Sequence, residues 1–144
     1  MPRSTFVRRV RFGGFRPLPA IIKNGGKWIM KVLVTGVKGQ LGHDVMNELA
    51  LRGIEGIGVD VEEMDITDRT ACETVISQEK PDAVIHCAAY TAVDAAEDNL
   101  ELCRKINAEG TRNIARVCKA MDIKMMYIST DYVFNGGGQR PWEP

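Results

Sequence analysis

The segment Lys31-Val-Leu-Val-Thr-Gly-Val-Lys-Gly-Gln-Leu-Gly42 places a glycine-rich turn directly after a short apolar run. Residues 32–35 are uncharged and mostly β-branched, which predicts a buried strand. Residues 39–52 follow with apolar residues at helical spacing, among them Leu41, Val45 and Leu49. A strand, a tight glycine turn and a helix form the opening unit of a nucleotide-binding α/β fold. Glycine suits the turn, because the chain must bend sharply, let a phosphate approach its backbone and pack the helix close to the sheet.

Strand-like and helix-like segments alternate along the rest of the chain. The predicted strands cover residues 54–59, 83–86 and 124–129, and the predicted helices run from Thr67 or Asp68 to about residue 78 and from about residue 99 to 121. This alternation predicts parallel βαβ units in a sheet with helices on both faces, that is, a Rossmann-like doubly wound α/β fold. Four strands are fewer than such domains normally have. We therefore expect residues 30–144 to be the N-terminal part of an incomplete domain, truncated after about four strands.

The composition excludes several classes of protein. The chain has 144 residues, 19 basic and 19 acidic, and 44% of them are hydrophobic, which is typical of an ordinary soluble domain. A disordered tail and a strongly basic nucleic-acid binder are excluded. No uncharged apolar run is long enough for a transmembrane helix, so we expect no membrane partner. Four cysteines without metal-ligand spacing indicate thiols in a reducing compartment, and we predict a cytoplasmic protein with no metal site in this chain.

The first 29 residues differ in composition from the rest. Residues 1–30 contain seven basic residues and no acidic one, with glycine and proline pairs and no regular hydrophobic period. We predict an unstructured basic leader over residues 1–29. Its origin has three interpretations: a mis-called start, with the natural protein beginning at Met30; an organellar transit peptide; or a nucleic-acid contact. We favour the mis-called start and expect no nucleic-acid partner.

An acidic residue follows the second predicted strand at the sequence spacing expected for a carboxylate that binds a ribose. Asp60 lies eighteen residues after Gly42, where a carboxylate accepts hydrogen bonds from the ribose of a bound dinucleotide. Its charge would repel a 2′-phosphate, which mildly favours NAD(H) over NADP(H). The alternative is that Asp60 only starts a loop.

Five motifs carry a family resemblance. The motifs are Thr35-Gly-Val-Lys-Gly-Gln-Leu-Gly42, Asp65-Ile-Thr-Asp68, Ala88-Ala-Tyr-Thr-Ala-Val-Asp94 with Glu97, Asn107-Ala108, and Ser129-Thr-Asp-Tyr-Val-Phe134. With them, residues 30–144 resemble the extended short-chain dehydrogenase/reductase family, and within it the dTDP-4-dehydrorhamnose reductase branch. The Gln40-Leu41 pair and the last motif are typical of the reductase branch.

The resemblance implies a set of cofactor-binding residues. It assigns the pyrophosphate to the glycine turn, the ribose and adenine to acidic positions after the second strand, and further contacts to the loop after the third strand and to one helical asparagine. In that order these are Gly36, Gly39, Gln40, Leu41 and Gly42; Asp60, Asp65 and Ile66; Ala88, Ala89, Tyr90 and Thr91; and Asn107. Without the family, Asp65 could be a turn residue, Tyr90 a packing aromatic and Asn107 a helix-surface residue.

The resemblance also implies catalytic and substrate-binding residues. Thr130 matches the catalytic hydroxyl that polarises the substrate carbonyl, and both Thr130 and Asp131 match substrate-binding positions. The alternative for Ser129–Asp131 is an ordinary polar turn after a strand. Where the branch often has Asn-Ala, this chain has His86-Cys87, and we expect His86 to be a hydrogen-bonded residue at a strand end and not a catalyst.

The implied activity is reduction of the C4 keto group of dTDP-4-dehydro-L-rhamnose to dTDP-L-rhamnose with NADPH or NADH. The resemblance further implies a dTDP-sugar substrate, a homodimer for the full-length protein, and Mg²⁺ in some relatives. The family's proton donor is the tyrosine of Tyr-x-x-x-Lys, which the 144 residues do not contain. We therefore expect this chain alone to be inactive. The alternatives are a non-catalytic NAD(P)-binding module, similar to the regulatory subunit of methionine adenosyltransferase, and a remnant without function.

Overall fold

A computed structural model of the chain describes residues 30–130 and Gly137. The predicted leader, residues 1–29, and the predicted substrate residue Asp131 lie outside the described residues. The described part contains four strands: β1 (Lys31–Thr35), β2 (Glu55–Val59), β3 (Ala83–His86) and β4 (Lys124–Tyr127). It also contains α1 (Gln40–Leu51), α2 (Arg69–Glu79), α3 (Val93–Asp98), α4 (Leu100–Arg104), a π-helical turn (Lys105–Gly110) and α5 (Thr111–Ala120).

The strands form one parallel sheet in the order β2-β1-β3-β4. The chain therefore runs from β1 to β2 on one side and then crosses to β3 on the other side of β1. This reversal is the topological switch point of a doubly wound fold. The predicted Rossmann-like α/β class is confirmed.

Helices cover both faces of the sheet, as parallel strands require. Leu33 of β1 faces one side, and Val32 and Val34 face the other, because side chains alternate along a strand. Leu33 belongs to the larger core, with further buried residues from β2, β3, α2 and α5: Val59, Val84, Cys72, Ile76, Ile114, Val117 and Cys118. Val32 and Val34 pack against Leu49 of α1. Burial raises the pKa of the thiols of Cys72 and Cys118 to about 11, and all four cysteines of the chain are thiols.

The start of α2 shows how side chains fix the helix ends. Asp68 is the N-cap residue, and its carboxylate accepts a hydrogen bond of 2.8 Å from the backbone N–H of Thr70. Of the two caps that the sequence allows, Thr67 and Asp68, the structure uses Asp68. The helix ends at Glu79, and its C-cap residue Lys80 adopts a left-handed backbone with φ of 46° just before Pro81.

The long helical stretch predicted for residues 99–121 is present and contains three consecutive segments. It consists of α4, the π-helical turn and α5, and a separate short helix, α3, precedes it. Gly110 ends the π-helical turn against Ile66, and a Cβ on Gly110 would lie 2.8 Å from two side-chain carbons of Ile66. Hydrophobic spacing predicts a helix here but does not identify a single π-helical turn, which occurs inside otherwise α-helical segments. The predicted helical stretch is confirmed over residues 100–120, and the π-helical turn inside it was not predicted.

Candidate dinucleotide-binding site

A groove of about 1540 Å³ runs along the carboxyl ends of the strands. It crosses the switch point between β1 and β3, which is where open α/β sheets bind their ligands. All thirteen residues predicted to bind cofactor line this groove, and so does Thr130. The structure therefore brings the predicted residues together, while their individual roles remain predictions.

The glycine turn forms the floor of the groove. Gly36 has a φ of 71°, and its N–H donates a hydrogen bond of 2.9 Å to the carbonyl oxygen of Val59. A Cβ on Gly36 would lie 2.8 Å from both the nitrogen and the Cα of Ala88, so the turn touches the loop after β3. A Cβ on Gly42 would overlap the carbonyl group of Gly36, which keeps the first turn of α1 close to the strand end.

Helix α1 points its N-terminus into the groove. Gly39 is its N-cap, and the N–H of His43 donates the first helical hydrogen bond to the Gly39 carbonyl oxygen at 3.0 Å. The N–H groups of the first turn therefore have no partner within the helix, and together with the helix dipole they favour an anion. Leu41 lies in this first turn, 46% exposed and part of the groove lining, although its spacing suggested a core position.

Asp60 ties the glycine turn to the end of β2. One carboxylate oxygen accepts the backbone N–H of Lys38 and the other accepts the N–H of Val61, both at 2.9 Å. The Lys38 ammonium pairs with Glu62, and this hydrogen bond raises the pKa of Lys38. Asp60 thus combines a structural role, which the sequence did not reveal, with a position in the groove lining.

Asp65 and Ile66 form the wall next to the π-helical turn. One carboxylate oxygen of Asp65 accepts both the N–H and the hydroxyl of Thr67 at 2.8 Å. The side-chain amide of Asn113 donates to the carbonyl oxygen of Ile66 at 3.0 Å. With the Ile66 side chain against Gly110, this wall is fixed to the helical segment behind it.

Asn107 holds the loop that follows β3. Its side-chain oxygen accepts the N–H of Tyr90 at 2.7 Å, and its side-chain nitrogen donates to the carbonyl oxygen of Tyr90 at 3.1 Å. At the start of the same loop, the N–H of Ala88 donates to the hydroxyl oxygen of Thr35 at 3.1 Å. Ala89 and Thr91 complete the part of the loop that lines the groove.

His86 lies beneath this loop and is 1% exposed. Its Nδ1 is 2.7 Å from the hydroxyl oxygen of Thr35, and its Nε2 is 3.0 Å from that of Thr111. Its ring stacks on Tyr127, with 5.6 Å between the ring centroids. Burial lowers the pKa of His86 to about 4, so the imidazole is neutral at neutral pH. His86 is a hydrogen-bonded strand residue, as the sequence suggested, but the sequence did not reveal its partners.

The far side of the groove contains the end of β4. Tyr127, Ile128, Ser129 and Thr130 line it, and Asp131 lies outside the described residues. Sequence reasoning missed several other lining residues, including Thr35, Lys38, Cys87 and Cys103. Only Thr35 and Lys38 carried a usable signal, because Thr35 directly precedes Gly36 and Lys38 directly precedes Gly39 in the glycine turn.

Residues 30–144 match the family described as RmlD substrate binding domain. The chain belongs to that family. A dTDP-4-dehydrorhamnose reductase of Streptomyces griseus is 40% identical over 110 residues, covering 76% of this chain and 36% of that protein. A crystal structure of the dTDP-4-dehydrorhamnose reductase of Bacillus anthracis in complex with NADP is 38% identical, with a TM-score of 0.75, over 80% of this chain and 41% of that one. A Clostridium acetobutylicum dTDP-4-dehydrorhamnose reductase structure is 42% identical, with a TM-score of 0.74, over 78% and 40%.

This member of the RmlD family thus spans well under half the length of the relatives it matches. None of the helices in residues 30–130 is both long and apolar enough to cross a membrane. Within the same residues, no three histidine, cysteine or acidic side chains are grouped so that they could hold a metal ion.

Replacing Gly36 with alanine tests the close approach between the glycine turn and the loop after β3. Gly53 is the matched control, because its φ of 67° equals that of Gly36 within a few degrees and its missing Cβ would meet no atom within 4 Å. We expect Gly53→Ala to lower the free energy of unfolding by about 1–2 kcal/mol, the cost of a left-handed alanine. Gly36→Ala should cost about 1–3 kcal/mol more, since the chain must move away from Ala88. Urea unfolding measures both, and equal losses would contradict the contact.

The buried imidazole of His86 predicts a pH dependence of stability. The unfolded chain binds a proton on His86 below its ordinary pKa of 6.5, whereas the folded protein does so only below about 4. Stability is therefore lost as the pH falls from about 6.5 toward 4, with a slope that approaches about 1.4 kcal/mol per pH unit.

Urea unfolding of the unaltered chain and of His86→Gln between pH 7 and pH 4.5 measures this slope. The glutamine variant keeps a neutral polar side chain, and both proteins share every other titrating group. We expect the difference in unfolding free energy between them to shrink as the pH falls. A difference that stays constant over this range would show that His86 is not held neutral by burial.

Proposed function

We propose that this chain supplies the cofactor-binding part of a dTDP-4-dehydrorhamnose reductase, which reduces the C4 keto group of dTDP-4-dehydro-L-rhamnose with NADPH or NADH. The observation that carries the proposal is the convergence of the glycine turn, Asp60 and the Asn107-held loop on one groove at the switch point. The names of the relatives support the substrate, and the NADP complex of the Bacillus anthracis enzyme supports the cofactor. A cytoplasmic location and a homodimer are proposed for the full-length protein on the same basis.

The glycine turn supports a dinucleotide site through its close packing. A Cβ at Gly36 or Gly42 would collide with neighbouring backbone, so glycine at both positions lets the turn bring the N-terminus of α1 to the groove. The N–H groups of Gln40, Leu41 and Gly42 would hold the pyrophosphate at the N-terminus of α1. The further contacts would come from Asp60 to the ribose, from Asp65 and Ile66 to the adenine, and from Ala88, Ala89, Tyr90, Thr91 and Asn107 to the nicotinamide half. The bound cofactor would supply the hydride for reduction of the ketone.

Thr130 is the proposed catalytic hydroxyl. It follows β4, which ends at Tyr127, and it lines the groove. Asp65 and Ile66 follow β2, which lies at the opposite edge of the sheet. The Thr130 hydroxyl would donate a hydrogen bond to the carbonyl oxygen of the substrate as negative charge develops on it. Thr130 and Asp131 are the proposed substrate contacts. The proton donor of the family is the tyrosine of Tyr-x-x-x-Lys, a motif that these 144 residues do not contain.

Cofactor titration of the 144-residue chain tests the proposed function directly. We expect NADPH and NADH to bind, as measured by calorimetry or by their fluorescence, and Gly36→Ala to abolish binding while Gly53→Ala retains it. We also expect no oxidation of NADPH with the dTDP-linked keto sugar, because no proton donor is in place. Absence of dinucleotide binding at millimolar concentration would overturn the cofactor assignment. Turnover of the keto sugar would overturn the expectation that this chain alone is inactive. If a longer product of the gene bound NADPH or NADH but did not reduce the keto sugar, that result would favour a non-catalytic module.

Asp60→Asn tests how the chain discriminates between the two cofactors. The substitution removes the charge that would repel a 2′-phosphate and keeps one oxygen to accept a backbone N–H. Weakening the hydrogen bond between the Lys38 N–H and Asp60 changes the affinities for NADH and NADPH equally. The ratio of the two dissociation constants therefore measures the effect of the 2′-phosphate alone. We expect this ratio to move toward NADPH by about tenfold, the factor for roughly one charge interaction at a partly exposed site. An unchanged ratio would place the 2′-phosphate away from Asp60.

A further inference from the structure

A chain of hydrogen bonds crosses the core beneath the groove. It begins at the N–H of Ala88, which donates to the hydroxyl oxygen of Thr35. It passes through both ring nitrogens of His86 to the hydroxyl of Thr111. The Thr111 hydroxyl donates in turn to the backbone carbonyl oxygen of Asn107 at 2.8 Å. This series of hydrogen bonds therefore joins the end of β1, the end of β3 and the π-helical turn.

The two ends of this series of hydrogen bonds hold the same loop, which follows β3. One end is the N–H of Ala88, and the other is Asn107, whose side chain holds both the N–H and the carbonyl oxygen of Tyr90. The residues between them, Ala88 to Tyr90, line the groove. The loop is thus fixed at its beginning and at its far end by groups that His86 connects.

The hydrogen-bond inventory allows only one protonation state of His86 to satisfy every group. Thr111 uses its single proton on the Asn107 carbonyl, so Nε2 of His86 must carry a proton and donate to Thr111. Nδ1 is then bare and accepts the hydroxyl proton of Thr35, which itself accepts the Ala88 N–H. A doubly protonated ring would leave the Thr35 hydroxyl proton without an acceptor in a site where Thr35 and His86 are each 1% exposed. The lowered pKa of His86 agrees with the neutral form.

We propose that His86, as the neutral Nε2–H tautomer, is a positioning residue that holds the Ala88–Tyr90 loop in the shape that receives the cofactor. It does so by linking Thr35 to the π-helical turn through Thr111. Its effect on cofactor affinity rests on the proposed function, whereas its effect on the loop does not. A loop held in its binding shape raises affinity, because a binding-competent state that is populated only part of the time weakens apparent binding by that fraction.

If His86 only filled space in the core, its removal would have a different effect from the loss of its hydrogen-bond connection between Thr35 and Thr111. Removing such a residue opens the whole fold, so amide exchange would rise together in the strands and in the loop. Breaking the link should release the loop alone. Thr111 is the position at which to break it, because Thr111→Val removes the hydroxyl at nearly constant volume, and Thr111→Ser keeps the hydroxyl and serves as the matched control.

The first measurement needs no variant. Nitrogen-15 NMR of the imidazole in the unaltered chain at pH 7 should show Nε2 protonated and Nδ1 as a hydrogen-bond acceptor. The Nδ1–H tautomer or a doubly protonated ring would overturn the proposal, even if every variant failed to fold.

The second measurement compares amide exchange and NADPH affinity in the two Thr111 variants. In Thr111→Val we expect exchange of the Tyr90 amide to rise about tenfold, the factor for roughly one hydrogen bond, while that of Val34 in β1 stays unchanged. We expect the dissociation constant for NADPH to rise by a similar factor, and Thr111→Ser to restore both values. Equal increases at Tyr90 and Val34, or no change at Tyr90, would overturn the proposal. If the unaltered chain binds no NADPH, the proposed function fails, and the exchange result alone decides the role of His86 in holding the loop.

Discussion

Parallel pairing of β1 with β2 on one side and β3 on the other brings three strand ends to the same edge of the sheet. The chain leaves β1 and β3 in opposite directions at this edge, and a crevice opens between their loops. The crevice is narrow at its base, because the Gly36 turn touches the Ala88 backbone without room for a side chain. The placement of α1, of Asp60 and of the loop held by Asn107 depends on this contact between two strand ends.

Side-chain groups, more than the sheet itself, fix the loops around the crevice. Asp60 accepts two backbone N–H groups, Asn107 satisfies the N–H and the carbonyl of Tyr90, and Thr35 accepts the N–H of Ala88. Backbone polar groups in loops next to a core need such partners, since an unpaired buried group is costly. The same residues that line the groove thus give it its shape, and binding surface and scaffold are not separate parts of this chain.

The sequence predicts the parts of the structure that depend on local pattern. Apolar runs and glycine spacing predict four strands, the turn at Gly36 and the cap of α2, because these follow from neighbours in the chain. Leu41 shows the limit of this reasoning: it has core spacing, but its helical turn lies at the edge of the sheet, where it faces the groove. The π-helical turn and the partners of His86 depend on contacts such as Gly110 with Ile66 and His86 with Thr35, which join residues far apart in the sequence. Spacing carries no signal for contacts of that kind.

The reactivity of the thiols of Cys72 and Cys118 depends on whether the larger core is open or closed. Both lie in the core between the sheet and helices α2 and α5, and with a pKa of about 11 only about one in ten thousand is ionised at pH 7. The thiolate is the reactive form, so an electrophile in solution reacts with these cysteines only after the helices separate from the sheet and water reaches the sulfur. The rate at which Cys72 and Cys118 are alkylated therefore measures how often the core between the sheet and helices α2 and α5 opens. It does not report motions of the groove at the strand ends.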